Sequence, residues 1–408
     1  MQFWQKTLLA LSCSSILLLT ACNSDQSGPT YYNYVSETRY DKDNIFGAQS
    51  IQVMRYEMPG VNGQTVQASA LVMLPDLPTP RQGWRIVVWE HPTVGGADSC
   101  APSKRVLDQD FRYLAEKLLA KGYVVISPDY EGLGETGMHP YLHAQSAAQS
   151  ALSAIEAFKN RYGRQSSGYW MSIGQSQGGH AALATAEQAQ QDIRFKGSVA
   201  AAPMTHLDYV LTDVVPHQVA DLLIAEAEGS VPYGTAAERM AEFLAYATFA
   251  ITGIQAYAPD FDYYEVYDPR VHEIVDAARG DTGDNGQCLE GLKFRFKHDI
   301  LNFVKENPSL TVLNYPALLP GFEQHPDVAY FFAHNQIGTQ KIRTPVMLIQ
   351  GQQDQVVPEF ITTDVADRLL LLGTPLDYHL VEQANHEQAI VAKHDEIVSF
   401  IEKHMPAK

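Results

Sequence analysis

Positive charge is scarce in this chain: 29 Lys and Arg stand against 47 Asp and Glu, a formal net charge of −18. Such a surface repels phosphate backbones and anionic headgroups, which argues against nucleic acid as a partner. Long hydrophobic runs are scarce too. A single one, at the N-terminus, excludes a polytopic membrane protein. Cysteine is rarer still, four in 408 residues, without the Cys-x-x-Cys spacing of structural zinc sites. Internal repeats and low-complexity tracts are missing. What the chain does have is apolar character: 45% hydrophobic residues with 19% charged describe a globular protein, either one large α/β domain with an insertion or two ordinary domains.

The N-terminal run is apolar over Thr7–Leu19, behind Lys6, and is shorter than the ~20 residues a spanning helix needs. It closes on Leu19-Thr20-Ala21-Cys22, which resembles the lipobox of bacterial lipoprotein signal peptides. That resemblance implies a signal peptide over residues 1–21 and acylation of Cys22, with membrane contact through acyl chains worth about 0.8 kcal/mol per buried CH₂. Asn23, not Asp, follows, which by the usual sorting pattern implies the outer membrane of a bacterial envelope. A cleaved secretory signal or a short anchor is the alternative. Residues 22–45 read as a polar tether. Cys13 leaves with the signal, so Cys100 and Cys288 remain. In an exported chain they either oxidise to a bridge or stay as two buried thiols. A bridge would close 188 residues and remove roughly 5 kcal/mol of unfolded-chain entropy.

Beyond residue 46, strand and helix patterns alternate. Extended stretches at 51–58 and 66–74 precede the short buried strand RIVVWE, residues 85–90. Helical spacing over 106–120, 144–162 and 178–189 alternates with strands at 123–127, 168–173 and 196–201. The rhythm resumes at 345–350, 361–372, 376–381 and 387–404. Strands separated by helices imply parallel pairing with right-handed crossovers, a doubly wound, mostly parallel α/β sheet. Its two parts are residues 46–203 and 341–408. The intervening 204–340 are too many for a loop and read as an inserted helical cap, with an apolar stripe from Met240 to Ile254. Asp281 to Gly286 has some calcium-loop character, but Gly283 and Leu292 stand where ligands are required, so it reads as a polar turn.

The chemistry falls at strand ends. Gly174-Gln-Ser176-Gln-Gly178 follows one strand and opens a helix, the context of a nucleophile elbow. A serine needs a base and the base an orienting acid. Among fourteen histidines, His386 follows the last strand and a short loop, at the carboxyl edge where parallel sheets build sites. His394 and His404 lie in the terminal helix and read as surface or packing residues; His139, His206 and His325 could touch substrate. Asp354, after the strand PVMLIQ, is the candidate acid, and Asp377, at a strand start, is its rival. Two backbone donors for an oxyanion are expected at Gln177 and, because Pro92 has no N–H, at Thr93. This chemistry calls for no metal and no organic cofactor.

These motifs resemble the α/β-hydrolase superfamily over residues 50–404. More narrowly, His91-Pro-Thr-Val-Gly95, Cys100-Ala-Pro-Ser103, Pro128-Asp-Tyr-Glu-Gly-Leu-Gly134 and Gly174-Gln-Ser-Gln-Gly-Gly-His180 resemble the secretory lipase family. The resemblance implies hydrolysis of carboxylic esters, often lipids, under a helical cap that forms the acyl pocket. It also implies a bridge from the Cys-Ala-Pro-Ser cysteine to the cap, which supports Cys100–Cys288. The family usually has His-Gly where this chain has His91-Pro92. The expected activity is therefore that of a serine esterase or lipase acting through Ser176, His386 and Asp354. Peptidase, amidase or acyltransferase chemistry with the same residues, or a non-catalytic envelope lipoprotein, are the alternatives.

Overall fold

The computed structural model describes residues 33–407. The expected signal peptide, Cys22 and the first part of the tether lie outside them. Among the described residues, nine strands form one sheet: β1 (Tyr34–Arg39), β2 (Ala48–Pro59), β3 (Thr65–Pro75), β4 (Trp84–Glu90), β5 (Val124–Pro128), β6 (Ser166–Gln175), β7 (Phe195–Ala201), β8 (Val346–Gly351) and β9 (Leu376–Val381). Their order is β1-β2-β3-β5-β4-β6-β7-β8-β9. Pairing is antiparallel from β1 to β5 and parallel from β5 through β4 to β9.

One expectation is corrected. Tyr34–Arg39, within the expected tether, is an edge strand, registered on β2 from Tyr34↔Tyr56 to Arg39↔Gln52. Just before it, Asn33 donates through Nδ2 to the carbonyls of Glu57 and Ser153. An edge strand with none of its residues fully buried carries no apolar period, so composition alone could not separate it from a tether.

The inner strands are apolar on both faces because helices cover both; every residue of β5 is buried. Helix α1 (Gln109–Ala120) buries Phe111, Leu114, Ala115, Leu118 and Leu119, one stripe at helical spacing, against one face. It starts three residues later than its periodicity suggests, because the Asp108 side chain accepts from the N–H groups of Asp110 and Phe111 and caps it there. Helices α2 (Ala144–Tyr162) and α3 (Gln177–Gln188) cover the other face, where Phe158, Trp170 and Phe195 are fully enclosed. Truncating Phe158 to Ala should cost about 3–5 kcal/mol of stability. Because α1 and α2 lie on opposite faces, strand order reverses between β4 and β6. A crevice opens there at the carboxyl edge.

Between β7 and β8 lie only helices and turns, among them Val215–Glu228, Thr235–Gly253, His272–Arg279, Leu289–Glu306 and Pro326–His334. They share a core of their own around Phe243, Ile251, Val275, Phe296 and Ile300. After β9 the last helical stretch is broken into Gln388–Val391 and His394–His404, where Lys393 leaves helical geometry at φ −114° and ψ 9°.

Candidate active site

The turn from β6 into α3 is tight. Ser176 sits at φ 59°, ψ −117°, a backbone conformation that L residues adopt only when their surroundings enforce it. The enforcement is visible. Ser176 N–H donates to Ala201 O at 2.9 Å, and Ser176 O accepts from the N–H groups of His180 and Met204. The flanking glycines are obligatory: a Cβ on Gly174 would stand 1.9 Å from Gly178 O, and one on Gly178 would stand 1.8 Å from Glu90 O. The hydroxyl side chain is thereby held at the N-terminus of α3, where unpaired N–H groups carry partial positive charge.

Asp354 follows β8 and is 3% exposed. Its Oδ1 accepts from the N–H groups of Val356 and Val357, both at 2.8 Å; its Oδ2 accepts from Gln350 Nε2 at 3.1 Å and from His386 Nδ1 at 2.8 Å. With Nδ1 as the donor, a neutral His386 presents Nε2 as an acceptor. That atom is buried and, among the described residues, has no partner. Ser176 and His386 line one cavity of ≈320 Å³, together with Thr93, Gln175 and the insertion residues Tyr246 and Leu289. In this structure the serine and the imidazole face that space without a hydrogen bond between them. Asp377, the rival acid, pairs instead with His379 at 3.0 Å on the outside of β9.

Thr93 lines the same cavity, and its N–H, like that of Gln177 at the first turn of α3, has no hydrogen-bond partner among the described residues. The loop that carries Thr93 is strapped to the insertion. Leu289 N–H donates to Val94 O at 3.0 Å, Gly96 N–H donates to Gln287 O at 3.1 Å, and Cys100 is disulfide-bonded to Cys288. Gly95, at φ 140°, has to be glycine, because a Cβ would lie 2.5 Å from Cys288 Cα. The Thr93 hydroxyl is hydrogen-bonded to the Tyr141 hydroxyl at 2.8 Å.

Several residues that sequence reasoning left aside hold this arrangement. Gln175 donates through Nε2 to the backbone carbonyl of His386 at 3.1 Å, tying the imidazole's loop to the strand that bears Ser176. Gln177 donates through its amide to His139 Nε2 at 3.0 Å, while His139 Nδ1 donates to Glu131 O at 2.8 Å. His139, a candidate substrate contact, is thus a buried support, and burial pushes its pKa down to about 4, keeping it neutral as this bonding requires. Asp129 of the Pro-Asp-Tyr-Glu segment accepts from Ser69 Oγ and from Ser103 N–H, joining β3 to the Cys-Ala-Pro-Ser segment. His206 lies against Arg368 and Asp364, and His325 caps a helix and meets Glu265. Neither lines the cavity. His394, expected at the surface or in packing, is 7% exposed and does line it. The remaining rim is acidic, with Asp108, Asp110, Glu290 and Glu387 and no Lys or Arg. Among the described residues no His, Cys, Asp and Glu cluster could hold a metal ion.

Three comparisons bear on this geometry. The family described as Serine aminopeptidase, S33 matches residues 109–233, a stretch that includes the Ser176 elbow. No curated protein matches the sequence. Among solved structures, the rice cell wall degrading esterase LipA of Xanthomonas oryzae superposes with a TM-score of 0.62 at 18% identity, over 91% of this chain and 96% of that one. Lipase A of Candida antarctica in its closed state gives 0.64 at 15% identity, over 93% and 85%. A Legionella pneumophila protein gives 0.65 at 18%, over 87% and 88%.

The chain has the α/β-hydrolase fold. Within it, the loop after β4, the elbow after β6 and the loops after β8 and β9 converge on one crevice. An α/β-hydrolase crevice equipped with an alcohol, an oriented imidazole and two free N–H groups has the parts that acyl transfer requires.

Proposed function

We propose that this α/β-hydrolase cleaves carboxylic esters through a covalent acyl-enzyme. The observation that carries the reading is the shared cavity of Ser176 and His386, with Asp354 bonded to the far side of the imidazole. His386 takes the proton as Ser176 Oγ attacks the ester carbonyl. The imidazolium is then stabilised by Asp354, and the tetrahedral oxyanion accepts from the N–H groups of Thr93 and Gln177. Collapse expels the alcohol, which receives the proton from His386. Water, deprotonated by the same imidazole, cleaves the acyl-serine. Hydrolysis of esters also fits two of the structural neighbours, an esterase and a lipase. An envelope location, with Cys22 lipidated, belongs to the same proposal and is supported by Leu19-Thr20-Ala21-Cys22.

A second reading, as an aminopeptidase, is favoured by the acidic rim: Asp108, Asp110 and Glu387, beside a Glu290 that pairs with Lys293, would attract a substrate ammonium. A panel of p-nitrophenyl esters from acetate to palmitate, set beside aminoacyl p-nitroanilides, separates the two. Turnover of esters with anilides inert is the expected result. Anilide turnover exceeding that of every ester would replace the ester reading with the peptidase one.

A further inference from the structure

A second cavity, of ≈270 Å³, adjoins the one that holds Ser176. The two share Trp89, Pro92, Val94, Asp108 and Phe111. Trp89 and Phe111 are stacked, ring centroids 4.9 Å apart and planes 16° from parallel, and form a flat apolar surface common to both spaces. The second cavity adds Pro102, Val106 and Leu107, apolar side chains on the segment leading into α1. Val106 is 69% exposed, an aliphatic side chain at the cavity's outer end that the protein's own packing does not use. At the inner end the Ser127 hydroxyl is buried and, among the described residues, unpartnered. Apolar side chains thus make up most of the wall, which His91, Arg105 and Asp108 also line, and Ser127 is a polar stop.

The Ser176 cavity is lined by Asp108, Asp110, Glu290 and Glu387, a poor surface for an alkyl chain, whereas the second cavity is walled mostly by apolar side chains. The two halves of an ester also have different needs. The alcohol must depart before water attacks, which suits the open polar rim. The acyl chain stays attached through both steps, which suits a walled pocket. Resting on the ester-hydrolase reading, we infer that the substrate's acyl chain runs from Ser176 across the Trp89–Phe111 stack into this second cavity. The helical insertion would then cover the nucleophile without containing the acyl chain. The polar stop and the modest volume select short and medium chains over long ones. Each methylene buried on the way is worth roughly a fourfold gain in kcat/KM, until the chain reaches Ser127.

The test uses two homologous series on the full-length protein, p-nitrophenyl esters of rising acyl length and acetate esters of rising alcohol length. The octanoate-to-acetate ratio of kcat/KM should fall by ~10-fold or more in Val106→Trp, which narrows the outer end, and rise in Leu107→Ala, which widens the wall. The ratio is internal to each variant, so a partly folded preparation does not mimic the effect. Val106, being exposed, also tolerates the change if Leu107→Ala does not fold. Ratios unmoved in Val106→Trp, or a response confined to the alcohol series, would overturn the assignment. Wild-type protein inert on every ester would remove the ester reading itself, and this inference with it.

Discussion

The carboxyl edge of the sheet and the helical insertion face each other across one crevice and contribute to it very differently. The edge supplies Ser176, His386 with Asp354 behind it, and both free N–H groups; the insertion supplies Tyr246, Leu289 and Glu290. The edge residues are held by backbone hydrogen bonds and by glycines that admit no other side chain. The insertion residues are held by a core of their own and by a strap at Cys288. Reactive geometry therefore belongs to the part that cannot shift without breaking the sheet. The insertion's contribution can vary without disturbing that geometry.

If that division is right, Ser176→Ala should cut turnover on the order of 10⁶-fold, whereas Tyr246→Ala should change kcat/KM by no more than about 10-fold. Equal losses in both variants would erase the contrast. Next in size, Asp354→Asn should cost ~10⁴-fold in kcat with substrate affinity retained, because an amide at this position no longer selects the tautomer that leaves Nε2 as acceptor. Smaller again, Gln175→Met removes the donor to the His386 carbonyl while keeping the volume. A fall of ~10-fold in kcat at nearly constant KM, with the midpoint of the pH–rate profile displaced, would mark Gln175 as a positioning residue. A pure change in thermal stability with an unmoved pH profile would make it merely structural.

The smallest effect concerns pH. Burial pushes His91, His139 and His180 down to about 4 from an ordinary value of 6.5. The unfolded chain binds those protons first, so their contribution to stability is complete above about pH 6.5 and is lost as pH falls toward 4. Glu90, at the end of β4, is pushed by burial up to about 8 and works in the opposite sense: stability is lost as pH rises from about 4.5 through 8. Thermal melts should therefore show Tm declining on both the acid and the alkaline side. Glu90→Gln should flatten the alkaline limb alone. An alkaline limb that persists in that variant would assign it to another group.

The legibility of this molecule in its sequence follows the same divide. Ser176 and Asp354 follow strands whose apolar runs are visible, His386 follows the last strand and a short loop, and a parallel sheet brings strand ends together regardless of their separation along the chain. Gln175, His139 and Asp129 could not be assigned their tasks, because these depend on which carbonyl or amide lies 3 Å away after folding. His394, read as a surface or packing residue, is buried, and its place in the lining of the Ser176 cavity likewise depends on the folded arrangement. The strand Tyr34–Arg39 was missed because an edge strand half open to water has the composition of a linker.

The central claim is that Ser176 is a nucleophile activated by His386. It is tested most directly by treating the protein with a fluorophosphonate and mapping the adduct by peptide mass spectrometry. The account predicts a single adduct on the peptide containing Ser176, absent in Ser176→Ala and formed far more slowly in His386→Ala. A wild-type protein that stays unlabelled, or an adduct on any other serine, would contradict it.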